Sequence, residues 1–319
     1  MRMFVRLVAF FLCFTSVTAY AQTAAQPWPQ KTVRFIIPLP PGSGMDLSAR
    51  LIAERLTQSW GQSVVVENRQ GADGIPAVTA FLTARDNHTF LFSFAGIVSF
   101  NHLLHERLPY DPKELVPLAP AIDNFLGVSA SATLKVNTLA ELVTAAKAQP
   151  GKLNYAATPG LPVFVLLALQ RYAGIEMSNV PYRDFAPAYQ DLATGRLHVA
   201  STGVPTLAPH HQAGNAKLLF VTNRERSPQA PDVPTAAEAG YRDLTFEGVS
   251  GIYGWRDMPA EIRRRVTTDV AAIVADPAFR ARVVGVGSAP RSGTPEEFAA
   301  AIEDQRARVT AIHEATTKR

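Results

Sequence analysis

A chain of 319 residues with 47% hydrophobic content can bury a substantial core, and its length suits two domains. Its 31 basic and 27 acidic residues nearly balance, which argues against nucleic-acid binding, because such binders carry a clustered basic face. The single cysteine, Cys13, excludes a disulfide framework within the chain.

In chain order, MRMFVR supplies a positive start through Arg2 and Arg6, and LVAFFLCFTSVTA is apolar but shorter than the roughly 20 residues that span a bilayer. Ala19, Tyr20 and Ala21 form a small-x-small cleavage site, so residues 1–21 are expected to be a cleaved signal peptide that takes Cys13 away and leaves an exported, periplasmic protein. The run VRFII then predicts a strand, PLPPGSGMD a turn, and LSARLIAERLTQSW an amphipathic helix. SVVVEN reads as the next strand, followed by a mixed segment up to TFLFSFAG. LPYDPKELVPLAPAID, over residues 108–123, is proline-rich and breaks the pattern.

Alternation then restarts: strand FLGVSAS, helix TLAELVTAAKAQP, strand KLNYAAT, helix FVLLALQRYAG, strand SNVPY, helix FAPAYQDLATG, and strands LHVASTG and KLLFVT. A second break, SPQAPDVPTAAEAGYRD, precedes the strand FEGVSGIYGW. The tail reads as two helices, one entered at Pro259 with Ile262, Val266, Val270 and Ile273 at helical spacing, the other opened by a capping box from Thr294 to Glu297. Strands alternating with helices imply mostly parallel sheets in an α/β fold.

One internal echo stands out. VRFIIP, PPGSGMD, helix and SVVVEN in the first half match KLNYAAT, PGLP, helix and MSNVPY in the second. Each half presents a strand, a turn and a helix start, and a helix start offers unpaired N–H groups and partial positive charge. Two such starts facing each other form a clamp for a small anion.

Nucleotide readings of PPGSGMD fail. The Lys and spacing of a P-loop are absent, and of a dinucleotide-binding fingerprint Gly42 and Gly44 fit and Glu67 ends the next strand, but Leu47 stands at the third glycine position and Asp46 would face the phosphates. Read structurally, Ser43 caps the helix and Asp46 completes a capping box, with the N–H groups of Gly44, Met45 and Asp46 left pointing into a cleft. No nucleophile, base and oxyanion set occurs at known spacing, so no enzyme is expected; His210 and His211 fall in a loop, and His102 and His105 lack a third ligand, so neither metal nor cofactor is expected. Asp191 reads as a solvated or capping residue, whereas Asp184, just past a strand end, could reach the cleft.

Taken together, VRFIIPLPPGSGMDLSARLIAERL, VVVENRQGADG, VPYRDFAPAYQDLATGRLHV and VTNRERSPQAPDVPTAAEAGY followed by FEGVSGIYGW resemble the tripartite tricarboxylate transporter receptor family, the Bug-type periplasmic solute-binding proteins, from about Trp28 to the last helix. The resemblance implies a two-lobed Venus-flytrap with the ligand cleft between the lobes. Lobe 1 would be residues 27–122 plus 246–319 and lobe 2 residues 123–245. It also implies a monomer that holds a small organic acid and delivers it to a membrane permease of tripartite tricarboxylate type. The alternative partner is a membrane signalling protein. The first carboxylate-binding loop maps onto Leu39 to Asp46, including Ser43, Gly44 and Met45. Strand ends at Ser93, Phe94 and Thr202 and the second turn, Thr158, Pro159, Gly160 and Leu161, complete the candidate site with Asp184 and Phe185.

The sequence departs from the family pattern at that second turn. TPGLPVFVLL lacks the usual Ser or Thr and the His, and Asp184 and Phe185 replace a small pair after VPY. The far end of a ligand would therefore meet Leu161, Phe164 and Phe185 and the Asp184 carboxylate. A monocarboxylate with an apolar or aromatic body, or an acid carrying an amine or amide near Asp184, is expected in preference to citrate.

Overall fold

The computed structural model describes residues 28–182 and 185–317, so the expected leader with Cys13, and the candidate Asp184, lie outside the described residues. The chain opens with β1 (Val33–Ile37), α1 (Gly44–Trp60) and β2 (Val64–Asn68), then α2 (Ile75–Ala84) and β3 (Thr89–Phe94). Short helices α3 (Gly96–Ser99) and α4 (Asn101–Leu104) lead to β4 (Leu115–Asn124). After Phe125 come β5 (Leu126–Ser131), α5 (Leu139–Ala148), β6 (Asn154–Ala157), α6 (Leu161–Ala173) and β7 (Ser178–Asn179). The middle of the chain closes with α7 (Ala186–Thr194), β8 (Val199–Gly203), α8 (Val204–Gln212) and β9 (Ala216–Val221). A long irregular stretch precedes β10 (Gly248–Trp255), α9 (Ala260–Ala275), α10 (Pro277–Gly285), β11 (Ser288–Pro290) and α11 (Pro295–Thr317).

Two lobes result, each built on one sheet. The first sheet runs β11-β4-β10-β3-β1-β2 and the second β7-β6-β8-β5-β9. Both are mixed, whereas simple alternation predicts mostly parallel strands. β1 is parallel to β2 and β3, but β10 lies antiparallel to β3 and β4, and β5 antiparallel to β8 and β9. The reversed strands β5 and β10 are each the first strand the chain enters after crossing from one sheet to the other.

The proline-rich stretch expected to be a break contains β4, a strand inside the first sheet. Its prolines are tolerated because the ladder is irregular where they sit. Pro120 faces Gly251 and Pro117 faces Tyr253, and the register shifts just before each of those partners. His210 and His211, which follow a proline and read as loop, instead lie in the last turn of helix α8, which has Pro205 in its first turn.

Helix α1 illustrates how the sequence builds an element. Met45, Ala49, Ile52 and Leu56 recur at helical spacing and are fully buried against β1, β3 and α9. Each large side chain contributes about 1.5–3 kcal/mol by leaving water. Gly61 ends the helix in the left-handed region (φ 65°) and returns its N–H to Thr57 O. In the tail the Thr294–Glu297 capping box forms as read, each N–H meeting the other's side chain, while Pro259 stands at the cap of α9, one residue before the helix proper.

Candidate functional site

The turn from β1 into α1 is organised by one buried carboxylate. Ser43 Oγ accepts from Asp46 N at 3.2 Å, as an N-cap should. The return bond of the expected capping box is displaced by one residue: Asp46 Oδ2 accepts from Gly42 N at 2.9 Å, and Ser43 N reaches Pro40 O. Asp46 is 1% exposed and also accepts from Asn68 Nδ2 at 2.9 Å and Arg50 Nε at 3.1 Å. Burial works to raise its pKa, but the bonds from Arg50, Gly42 and Asn68 outweigh it and hold the carboxyl below its ordinary value. Asp46 thus braces the loop from behind and its own N–H is spent on Ser43, so only Gly44 and Met45 keep helix-start N–H groups without a protein acceptor among the described residues.

Asn68 and Arg50 escaped the sequence reading. Asn68 ends β2 in the ENR segment and ties Leu39 O to Asp46 through the same amide nitrogen, which fixes the height of the loop over the sheet. The signal was there in the segment VVVEN, whose polar end follows a strand that is otherwise apolar. Leu39 is half-buried on the first lobe's core and Met45 is 1% exposed, so these two line the turn through their backbones. Gly44 is crowded for a separate reason: a methyl group there would lie 3.0 Å from Ser288 Oγ on β11.

At the end of β3, Phe94 is half-buried between two apolar clusters of the first lobe, and Ser93 is wholly buried within the sheet. In the second lobe the ends of the adjacent parallel strands β6 and β8 bring Thr158 and Thr202 together. Thr158 Oγ1 donates to Thr202 Oγ1 at 3.2 Å, and Thr158 N donates to Ser201 O. Pro159 is exposed and Gly160 adopts φ 91°, a region that favours glycine. The α6 start is poor in donors. Pro162 has no N–H, Val163 N is taken by Gly160 O and Gly160 provides no side-chain cap, so of the first three helical residues Leu161 alone keeps an N–H without an acceptor among the described residues.

The expected apolar wall at α6 is corrected by the structure. Leu161 is 7% exposed and Phe164 0%; both sit inside the second lobe's core. Phe185, at the cap of α7, is half-buried and begins an aromatic row with Tyr189 at 5.2 Å, which continues to His210, stacked on Tyr189 at 5.2 Å. His210 and His211 therefore lie on a helix, with His211 also 3.3 Å from Asp232. His102 is exposed, and neighbouring Arg306 and His313 join burial in lowering its pKa; His105 pairs with Asp73. Among the described residues no three His, Cys, Asp or Glu side chains gather as a metal site.

Two cavities, of about 620 and 310 Å³, lie at the hinge and not at the helix starts. In the larger, Arg291 holds Asp123 at 2.9 Å and Glu247 at 2.7 Å, Arg224 holds Glu247 at 3.1 Å, and Arg280 donates to Val274 O at 3.4 Å. Burial pushes Asp123 up to about 6 against the pull of Arg291. This network ties β4, β11 and the return crossover together.

The family described as tripartite tricarboxylate transporter family receptor matches residues 48–317. The chain belongs to this receptor family. The receptor is 31% identical to a UPF0065 protein of Bordetella bronchiseptica over 287 residues, 88% of this chain and 84% of that one. It is 28% identical to Protein BugT of Bordetella pertussis over 306 residues, covering 94% of each. A solved structure described as R. palustris Rpa4515 with adipate superposes with a TM-score of 0.81 at 29% identity, over 90% of the receptor and 98% of that chain. Among the described residues no helix of the receptor is long and apolar enough to cross a membrane.

Proposed function

We propose that this receptor, exported by cleavage after its first 21 residues, captures a small organic carboxylate between its lobes and passes it to a tripartite tricarboxylate-type permease. The lobes are residues 27–122 with 246–319, and residues 123–245. The observation that carries the reading is the α1 start, where Gly44 and Met45 present unspent N–H groups in a turn braced by Asp46. One carboxylate binds there. The far end of the cleft offers the Thr158–Thr202 pair, the aromatic edge of Phe185 and an α6 start in which Pro162 has no N–H and Val163 N is spent on Gly160 O.

That asymmetry favours a monocarboxylate with an apolar or aromatic body, or an acid with an amine or amide near Asp184, over citrate. Adipate, held by the relative at 29% identity, shares the apolar body but carries a carboxylate at both ends, so it probes whether the far end of this cleft accepts a second charge. Calorimetric titration of the purified receptor with hexanoate, benzoate, adipate and citrate tests the reading. Hexanoate or benzoate should bind more tightly than citrate; tight citrate binding with no response to the others would overturn it.

A further inference from the structure

Phe164, in the first turn of α6, touches a residue of the other lobe. Its ring meets that of Phe100, between α3 and α4, edge to face with centroids 5.1 Å apart. Phe100 is 1% exposed and shares one apolar cluster with α5, α6 and the second sheet, joined by Leu103 and Leu104. Yet the segment that carries it is anchored in the first lobe. Asn101 donates to Asp73 O at 2.8 Å and to Tyr110 at 3.2 Å, and His105 pairs with Asp73 at 2.8 Å. Ser99 donates to Gln305 on α11 at 2.7 Å. Gly96 completes the seat, since a methyl group there would come within 2.4 Å of the Phe100 ring.

Helix α11 makes a second attachment on the same side. Phe298 and Ile302 lie in a core of the first lobe, whereas Val309 and Ile312 lie in the core of the second. Arg171 of α6 donates to Ala311 O at 3.1 Å, and Arg308 of α11 to Asp243 O at 3.1 Å. Parting the lobes along α6 would expose both phenylalanine rings to water and lose their edge-to-face contact.

We propose that Phe100 and Phe164 form a ligand-independent latch between the lobes, which shuts the α6 end of the cleft and confines the ligand to the space between the α1 start and the Thr158–Thr202 pair. The motion that admits a ligand then pivots at α6 and opens the cleft on the side of α7 and α8. Confinement of the ligand rests on the carboxylate reading above; the latch itself does not.

Spin labels go on cysteines placed at the exposed His102, two residues from Phe100, and at the exposed Tyr172 of α6, in a chain that begins after residue 21 and so has no other cysteine. Double electron-electron resonance should give one narrow distance, unchanged by hexanoate. Phe164→Ala should add a longer, broad population, and Phe100→Leu, which keeps apolar bulk should the first variant fold poorly, a smaller one. A folded Phe164→Ala protein with the parent distribution would overturn the latch. Titration of the same proteins with adipate and hexanoate reads the confinement: the ratio of adipate to hexanoate affinity should rise about tenfold in Phe164→Ala, equivalent to about 1.4 kcal/mol. An unchanged ratio alongside the longer distances would overturn confinement alone. Failure of the parent to bind either acid, with its narrow distance intact, would sink the carboxylate reading and leave the latch supported.

Discussion

The starts of α1 and α6 occupy equivalent places, each following a strand of its lobe through a short Pro and Gly turn, yet they are built for different partners. At α1 a side chain caps the helix, a buried carboxylate braces the turn, and two N–H groups stay unspent. At α6 the cap is a bare glycine at φ 91°, the next turn has a proline, and the first aromatic side chain packs into the opposite lobe. A helix start is thus an anion site only when the sequence leaves its donors free and its mouth open. The same supersecondary unit otherwise becomes a structural contact.

The sharpest way to break this contrast is to remove the brace. Asp46→Ala takes the acceptor from Gly42 N and the carboxylate from Arg50, leaving Asn68 Nδ2 with Leu39 O and Arg50 with Asn68 Oδ1, and we expect a loss of about 2–4 kcal/mol in urea unfolding together with loss of carboxylate binding. The pH dependence gives a second signature. Because the folded-state pKa of Asp46 lies below its unfolded value, its stabilisation is complete above the ordinary carboxylate range and disappears as pH falls through the folded value. Parent stability should therefore fall more steeply than that of Asp46→Ala below about pH 4. Parallel acid curves would mean that the brace is not ionic.

Legibility from the sequence followed the range of the interactions. α1 could be read from the spacing of Met45, Ala49, Ile52 and Leu56, and the α11 start from Thr294 and Glu297, because both signals are local. β4 and α8 were not legible, since prolines argue against both and only long-range facts, the irregular pairing with β10 and packing on β5 and β9, override them. At the candidate site the α1 loop was readable but the direction of its carboxylate was not: Asp46 bonds Asn68, 22 residues away, and no local pattern announces that. Phe164 was the hardest. Its partner Phe100 stands in the other lobe, and an apolar residue beside a cleft reads equally as ligand wall or as lobe contact.

A smaller effect compares the two caps directly. Ser43→Ala removes the acceptor of Asp46 N and should cost about 1 kcal/mol. Gly160→Ala removes no bond but forces a Cβ onto a residue at φ 91°, ψ −141°, costing about 1–3 kcal/mol. Only the first should also weaken hexanoate binding, because only the first disturbs the turn that holds the acid. Urea curves and calorimetry on both variants read this, and equal losses of binding would place the α6 turn in the ligand site after all.

The least perturbing test concerns the polar pair left to the second lobe. Thr158 donates its proton to Thr202, so the Thr202 hydroxyl proton is directed elsewhere and is the one available to a ligand. Thr202→Val should then weaken hexanoate binding about fivefold, the worth of one net hydrogen bond, while the unfolding free energy shifts by less than about 1 kcal/mol. Thr158→Val keeps that proton and should weaken binding less. If calorimetry instead finds the larger loss in Thr158→Val, the donor to the ligand is Thr158, and the pair runs in the opposite sense once the cleft is filled.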